Sequence, residues 1–393
     1  MKPTVYAVRC ESYDQVEEKA AELLEMMGGM AQFVTPGETA ALKVNLLSAS
    51  DPEKAVTTHP AVTAAVGRQA RKAGAEPVIM DSPSGAYPHT KSALTRVYRT
   101  CGMEEAAERS GLELNFDTRV EVVSYPDGKL IQHFEIMAPL LEAGAILNLS
   151  KLKTHALMTM TGAVKNMFGA IPGRIKPGYH AKLASKDLFA KMLLDLAACV
   201  APRLSIMDAV VGMEGDGPGN GDPRQVGLLL GAENPLALDV AAGEIMGLDF
   251  EDNPLLVEAE KQGRTPTRLE EIDLVGIDPA ALRVPDFQLP ATHATDARLR
   301  SMNWLQQLVS PLFKDALTLE PRVIEEACIA CEDCVNICPM GVIDIRGEEH
   351  KHAWIDEQGC IRCYCCHETC PQDAIELHRS LLYRVVIGQK KRG

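Results

Sequence analysis

No stretch of the sequence runs for about 18 uninterrupted apolar residues, the length at which a membrane-spanning helix becomes a candidate. The best candidate, residues 188–202, is broken by Lys191 and Asp195. The start, MKPTVYAVRCESYDQ, has no basic-then-apolar leader, so a cytoplasmic location without a transmembrane segment is expected. Basic residues are in short supply as well: 40 Lys and Arg stand against 54 Asp and Glu, a net charge of −14. That balance speaks against nucleic acid or an anionic membrane as a partner, since both select an excess of cations. Any anion site must be local. Neither G-x-G-x-x-G nor G-x4-G-K-[ST] fits any frame, even in the glycine-rich GMEGDGPGNGDP, so the chain has no NAD, flavin or ATP signature. Outside residues 328–370 only Cys10, Cys101 and Cys199 occur, in isolated apolar or helical contexts that suit small buried hydrophobes.

The other nine of the twelve cysteines lie between 328 and 370. Cys328, Cys331, Cys334 and Cys338 read C-x2-C-x2-C-x3-C-P, and Cys360, Cys363, Cys366 and Cys370 repeat the pattern, with 21 residues between Cys338 and Cys360. This doubled spacing is that of two-cluster bacterial ferredoxins, in which the fourth cysteine of each run binds the other cluster. It predicts one [4Fe-4S] cluster on Cys328, Cys331, Cys334 and Cys370 and a second on Cys360, Cys363, Cys366 and Cys338. Three thiolates on a tight loop can each reach a different iron of one cube, while the fourth must arrive from elsewhere. A zinc ribbon would need two separated C-x2-C pairs, and a disulfide framework an extracellular address. Cys365 is left over and reads as a thiol packed against the cluster loop.

With 393 residues, 46% of them apolar, the chain can bury a core and divide into two or three domains. In the front part, β-rich runs (TVYAVRC, AALKVNLL, EPVIMD) alternate with amphipathic helical ones (SYDQVEEKAAELLEMMGG, HPAVTAAVGRQARKAG, KSALTRVYRTCG). GAILNLS, RLSIMDAVV and QVGLLLGA supply further strands. This predicts an α/β fold, a mostly parallel sheet of the doubly wound type with helices on both faces. VEVVSYPDG and LIQHFEIMA form a small antiparallel insertion, and an α+β two-cluster ferredoxin domain follows. The expected divisions are 1–298 for the α/β domain, 299–320 for a linker with one helix, 321–380 for the ferredoxin domain and 381–393 for a basic, solvated or partner-facing tail.

Open parallel sheets bind ligands outside the carboxyl ends of their strands. Predicted strand ends carry Lys43 and Asn45, then Asp81, then the run NLSKLKTH, then Asp208. Between Glu142 and Asp187 there is no carboxylate, yet Lys151, Lys153, Lys165, Arg174, Lys176, Lys182 and Lys186 are there with His155 and His180. A helix expected to begin near Ala163 would offer free N–H groups beside these lysines, a cradle for carboxylate or phosphate. The expected substrate-binding residues are Lys43, Asn45, Asp81, Lys151, Lys153, Lys165 and Asn166, with His155 or Asp208 supplying a proton. Glu214 and Asp216, with Asp222, could hold a divalent cation, although the EF-hand spacing is absent. A flexible acidic loop closing over substrate is the alternative for that segment.

LKVNLL, THPAV, DSPSG, NLSKLKTHALMTMTGAVKNMFG, MDAVVGMEGDGPGNGDP and CIRCYCCHETCP together resemble the iron-sulfur proteins of domain-of-unknown-function family 362 that carry a fused two-cluster ferredoxin module. The resemblance spans nearly the whole chain. It implies Lys151, Lys153, His155, Lys165 and Asn166 as site residues and brings no reaction with it. The leading expectation is an oxidoreductase passing low-potential electrons through two [4Fe-4S] clusters to or from an anionic small molecule, with an electron donor or acceptor protein as partner. The alternatives are an electron-transfer adaptor that docks a redox enzyme and a non-redox enzyme with structural clusters. Oligomeric state is not readable.

Overall fold

The computed structural model describes residues 1–183, 185–293, 319–348 and 350–378. The expected linker helix and the basic tail at 381–393 lie outside the described residues. The front half alternates as its periodicity predicts: β1 (Thr4–Arg9), α1 (Val16–Met26), β2 (Thr39–Lys43), α2 (Pro60–Lys72), β3 (Glu76–Met80), α3 (Lys91–Thr100), α4 (Met103–Ser110) and β4 (Glu113–Leu114). The antiparallel insertion is β5 (Val120–Ser124) with β6 (His133–Met137), paired Val120 to Met137. Then follow α5 (Ala138–Glu142), β7 (Ala145–His155), β8 (Thr159–Thr161), α6 (Ala163–Asn166), α7 (Lys176–Lys182), α8 (Lys186–Val200), β9 (Leu204–Glu214), β10 (Asp222–Ala232), α9 (Pro235–Ile245), α10 (Pro254–Lys261) and β11 (Asp273–Val275).

Local chemistry sets several of these boundaries. Proline opens α2, α9 and α10, where its missing N–H costs nothing. Asn234 and Asn253 cap α9 and α10 by accepting from two backbone N–H groups each.

The main sheet has nine strands in the order β11-β1-β10-β9-β7-β2-β3-β4, with β8 paired to β7. β9, β7, β2, β3 and β4 run parallel, as do β1 and β11. β10 is antiparallel to both β1 and β9, because a short glycine-rich connection joins it to β9 as a hairpin. Alternate residues of the strands feed two cores: Leu147 and Leu149 of β7 pack with α1 to α4, and Leu152 packs with α8 to α10. The sheet is thus covered on both faces.

The carboxyl ends of β2, β3 and β7 share one edge, and the cysteine-rich module sits against it. That module has two antiparallel pairs, β12 (Glu320–Val323) with β15 (Ile375–His378) and β13 (Ile343–Arg346) with β14 (His352–Ile355). Short helices Asp333–Ile337 and Cys365–Thr369 complete it around a core of Cys334, Ile343, Ala353, Ile355, Cys366 and Ile375.

Candidate active site between the sheet edge and the cysteine loops

The KLKTH run, expected at a strand end, is the second half of β7, which continues to His155. A strand's period of two puts Lys151, Lys153 and His155 on one side. All three are buried. Lys151 Nζ lies 2.8 Å from Asp208 Oδ2 and 2.8 Å from the Tyr13 hydroxyl. Asp208 also accepts from the backbone N–H of His59 at 2.9 Å, and it sits inside β9, opposite Lys151, rather than at a strand end. Lys43 pairs with Asp81 at 2.7 Å and donates to the Val44 carbonyl. Such buried ion pairs persist only when their remaining hydrogen-bonding capacity is met. Gly169 is needed for the second of them, since a Cβ there would stand 2.0 Å from Asp81 Oδ1 and 2.5 Å from Lys43 Nζ.

The His59 ring stacks on Tyr13 with centroids 3.5 Å apart, and burial pushes its pKa from the ordinary 6.5 down to about 4. As pH falls below 6.5, the unfolded chain takes up a proton that the folded chain refuses until about pH 4. Stability is therefore complete above pH 6.5 and falls by up to about 1.4 kcal/mol per pH unit inside that window. His59→Asn keeps a capping side chain for α2 and removes this titration. Urea midpoints between pH 6.5 and 5 should fall less steeply in the variant; parallel slopes would assign the acid sensitivity elsewhere.

Between the sheet edge and the module lies a cavity with roughly 640 Å³ of empty space, its open mouth included. Asn45, Asp81, Lys153, Lys165 and Asn166 line it; Lys43, Lys151, His155 and Asp208 do not. Sequence-expected site residues therefore separate into a lining set and a set that stands behind it. Lys153 Nζ donates to Asn45 Oδ1 at 2.9 Å and to the Val56 carbonyl at 2.6 Å. The polar chain continues from Asn45 to Asn166 at 3.0 Å and from Asn166 to Asn148 at 2.8 Å. Burial, then the neighbouring Lys165 and Lys151, drives Lys153 well below the ordinary lysine range. Burial also lowers Lys165, an effect Glu368 and Cys365 partly offset, and Lys165 has no hydrogen-bond or ion-pair partner among the described residues. Glu368 is pushed up to about 8 by burial, against the pull of Lys165. His155 Nδ1 accepts from the N–H of Leu157 at 3.0 Å, leaving Nε2 3.5 Å from Glu368 Oε1.

Two expectations are corrected here. The helix at Ala163 exists, but its anion cradle is filled from within, because Asp239 accepts from both Ala163 N–H and Val164 N–H. Gly162 permits this, as a Cβ there would meet Asp239 Oδ1 at 2.0 Å. The cation site at Glu214 and Asp216 also fails: Glu214 accepts from Gln288 N–H at 3.0 Å and Asp216 from Ala291 N–H at 2.7 Å. These carboxylates pin the 288–291 segment. Asp222 opens β10 on the exposed surface. The glycine-rich connection lines the cavity through Pro218, while Asn220 donates to the His367 carbonyl and Gly219 faces the Glu368 backbone. It clamps the module to the sheet domain, helped by Ser84 and Thr369, whose hydroxyls are 3.1 Å apart.

The cysteines form two further cavities. One, with about 350 Å³ of empty space, is lined by Cys328, Cys331, Cys334 and Cys370; the other, about 340 Å³, by Cys338, Cys360, Cys363 and Cys366. Each set draws its fourth sulfur from the opposite run, as the spacing predicts. Matching left-handed residues shape the loops, Ala330 and Glu332 in one, Arg362 and Tyr364 in the other. Backbone N–H groups point at the sulfurs of Cys328, Cys360 and Cys370 at 3.2–3.4 Å. Four thiols around an apolar void suit a [4Fe-4S] cube, so the residues present fit the group. Cys365 lines both the second of these cavities and the one at the sheet edge.

The chain matches the family described as Domain of unknown function (DUF362) over residues 40–244 and a 4Fe-4S dicluster domain over residues 327–374. It belongs to the DUF362 family. A thylakoid-associated protein of Synechocystis sp. is 35% identical over 301 residues, 74% of this chain and 88% of that protein. Among solved structures, the lactate racemase apoprotein from Thermoanaerobacterium thermosaccharolyticum is similar with a TM-score of 0.38 and 11% identity, over 63% of this chain and 57% of that one. A protein from Thermotoga maritima gives 0.34 and 12%, over 55% of each. The chain thus spans little more than half of either structure. No helix among the described residues is long and apolar enough to cross a membrane.

The DUF362 match takes in every cavity residue from Asn45 to Pro218, and the dicluster match takes in Ile337, Cys365 and Glu368. Sequence reasoning did not single out Ser82, Ser84, Thr161 or Glu368 as site residues. A signal for Glu368 was available. The two cysteine runs are offset by 32 residues, and Cys365, His367, Glu368 and Thr369 replace Asp333, Val335, Asn336 and Ile337. All four of these second-run residues touch the sheet domain or its cavity.

Proposed function

We propose that the chain is an oxidoreductase that passes low-potential electrons through two [4Fe-4S] clusters to or from an anionic small molecule held in the cavity at the sheet edge. Cys328, Cys331, Cys334 and Cys370 hold the outer cluster, and Cys338, Cys360, Cys363 and Cys366 the inner one. When bound, such clusters supply single electrons at potentials between roughly −700 and +450 mV. The observation that carries this reading is the shared wall: Cys365 borders both the inner cysteine cavity and the cavity for the small molecule. Reduction of one substrate bond takes two electrons, one from each cluster, and two protons.

In this scheme Lys165 meets the acid group, and Asn45 and Asn166, tied to each other and to Lys153, orient the molecule. Burial raises Glu368 to about 8, so its protonated carboxyl is the proton source, and His155, which burial holds well below the ordinary histidine range, stands neutral 3.5 Å behind it. Lys43, Lys151 and Asp208 act from behind the wall, fixing the strands that carry the lining residues, and Lys43 holds Asp81 in place at the lining.

The test is a reoxidation assay. The holoprotein, reduced with dithionite under argon, is mixed with small organic acids while the electron paramagnetic resonance signals of the clusters are followed. A substrate should reoxidise the wild type, and Lys153→Ala should slow this about tenfold, the scale of one lost charged hydrogen bond. Reduction by dithionite should be unchanged. Reoxidation by no acid, or at equal rates in both proteins, would overturn the proposal.

A second reading, an electron-transfer adaptor, is favoured by one observation. Ile329 and Met340, 60% and 47% exposed, border the outer and inner cysteine cavities. They form apolar contact points on an acidic module, a surface suited to a basic redox partner. Under that reading the clusters reduce quickly but the purified chain turns nothing over alone.

A further inference from the structure

The polar groups lining the sheet-edge cavity differ sharply in what they already bind. Lys176 Nζ donates to the Ser82 carbonyl, the Ser82 hydroxyl and the Pro83 carbonyl, so its three protons are committed. Two protons of Lys153 are committed to Asn45 and Val56. The Ser84 hydroxyl has Thr369. Three donors on the same cavity are uncommitted. Thr161 Oγ1 and His180 Nδ1 are buried without a hydrogen-bond partner, and the half-buried Lys165 lies over the Phe168 ring and makes no hydrogen bond or ion pair among the described residues. The acceptor Glu368 Oε1 is likewise without a hydrogen bond. Thr161 is 3% and His180 7% exposed. Lys165 Nζ and the His180 ring both flank Phe168, 6.0 Å and 5.9 Å from its ring centre.

Buried donors without partners cost roughly 1–3 kcal/mol each, so a gathering of them at one cavity implies a missing acceptor. Its nature follows from the donors on offer. Among the described lining residues Lys165 is the single cation without a hydrogen-bond partner, and burial keeps His180 neutral, with its pKa near 3. Three uncommitted donors match the oxygens of one carboxylate. Phosphate, with further oxygens to satisfy, would leave some without a donor in an enclosed site. Leu47, Pro83, Pro177 and Ile337 give the same cavity an apolar part.

Resting on the oxidoreductase reading, we infer that Thr161, Lys165 and His180 form a carboxylate-binding subsite, and that the molecule held there is a small monocarboxylic acid with an apolar body. Asp239, which fills the helix start nearby, leaves the side chains rather than the backbone to bind the acid.

Calorimetric titration of the holoprotein with acetate, propionate, benzoate and inorganic phosphate tests this. None of these need react, so binding is measured apart from electron transfer. At least one of the three carboxylates should bind, and phosphate should bind more weakly. Lys165→Met should lower carboxylate affinity about tenfold or more, and Thr161→Val, nearly isosteric and safe for folding, should lower it several-fold. Iron content and thermal midpoint should hold in both. Equal carboxylate affinity in wild type and Thr161→Val, phosphate binding more tightly than every carboxylate, or no carboxylate binding at all would overturn the subsite. Carboxylate binding that depends on Lys165, combined with no reoxidation by any acid, would sink the oxidoreductase reading and leave the subsite standing.

Discussion

Cys338→Ser should yield a protein with about half the wild-type iron, roughly four atoms per chain, and without the inner cluster. Cys338 belongs to the first run in sequence but lines the cavity of Cys360, Cys363 and Cys366. Cys334→Ser, four residues earlier, should instead remove the outer cluster, because Cys334 shares its cavity with Cys328, Cys331 and Cys370. Iron and sulfide analysis with paramagnetic resonance of each variant separates the two. The expected contrast is functional as well: the Cys338 variant should lose any spectral response to a bound acid, and the Cys334 variant should keep it. If both substitutions removed the same cluster, the crossed assignment would be wrong.

The second large effect concerns stability. Asp208→Ala leaves the Lys151 ammonium buried with only the Tyr13 hydroxyl nearby, and it strips the His59 N–H of its acceptor. Breaking one partner of a buried pair typically costs about 3–5 kcal/mol, far more than the pair gains over an apolar replacement. For a domain of this size that is a fall of about 10 °C in the thermal midpoint. The double variant Lys151→Met with Asp208→Leu should recover most of the loss, since it removes both charges and keeps the volume. A single variant with wild-type stability would show that Asp208 is solvated in solution and restore it as a proton donor within reach of substrate.

These two cases mark how far the sequence could be read. The grouping of the cysteines around two cavities was legible because their spacing carries it, and the alternation of β-rich and amphipathic runs gave the sheet and its two helical layers. The roles of individual charges were not. Lys151 and Asp208 lie 57 positions apart, and nothing local announces that they face each other across β7 and β9. The KLKTH motif looks like a loop of cations, yet its residues extend β7, and burial turns Lys151 into structure while leaving Lys153 at the cavity. Asp239 was invisible for the same reason: it sits in an apolar helix 76 and 75 residues beyond the two N–H groups it caps. What the sequence did hold, unread, was the difference between the two cysteine runs, where Cys365, His367, Glu368 and Thr369 depart from their counterparts.

On the proposed reading the loop from Cys363 to Cys370 folds together with its cluster, as metal sites of this kind do. That loop also supplies Cys365 and Glu368 to the chamber in which a guest would rest. Damage by oxygen to the nearer cubane would therefore abolish recognition together with current, so a corroded molecule would stand empty instead of sequestering a metabolite that it can no longer transform. On that reading the arrangement would work as a fuse, one in which the conductor and the socket fail as a unit.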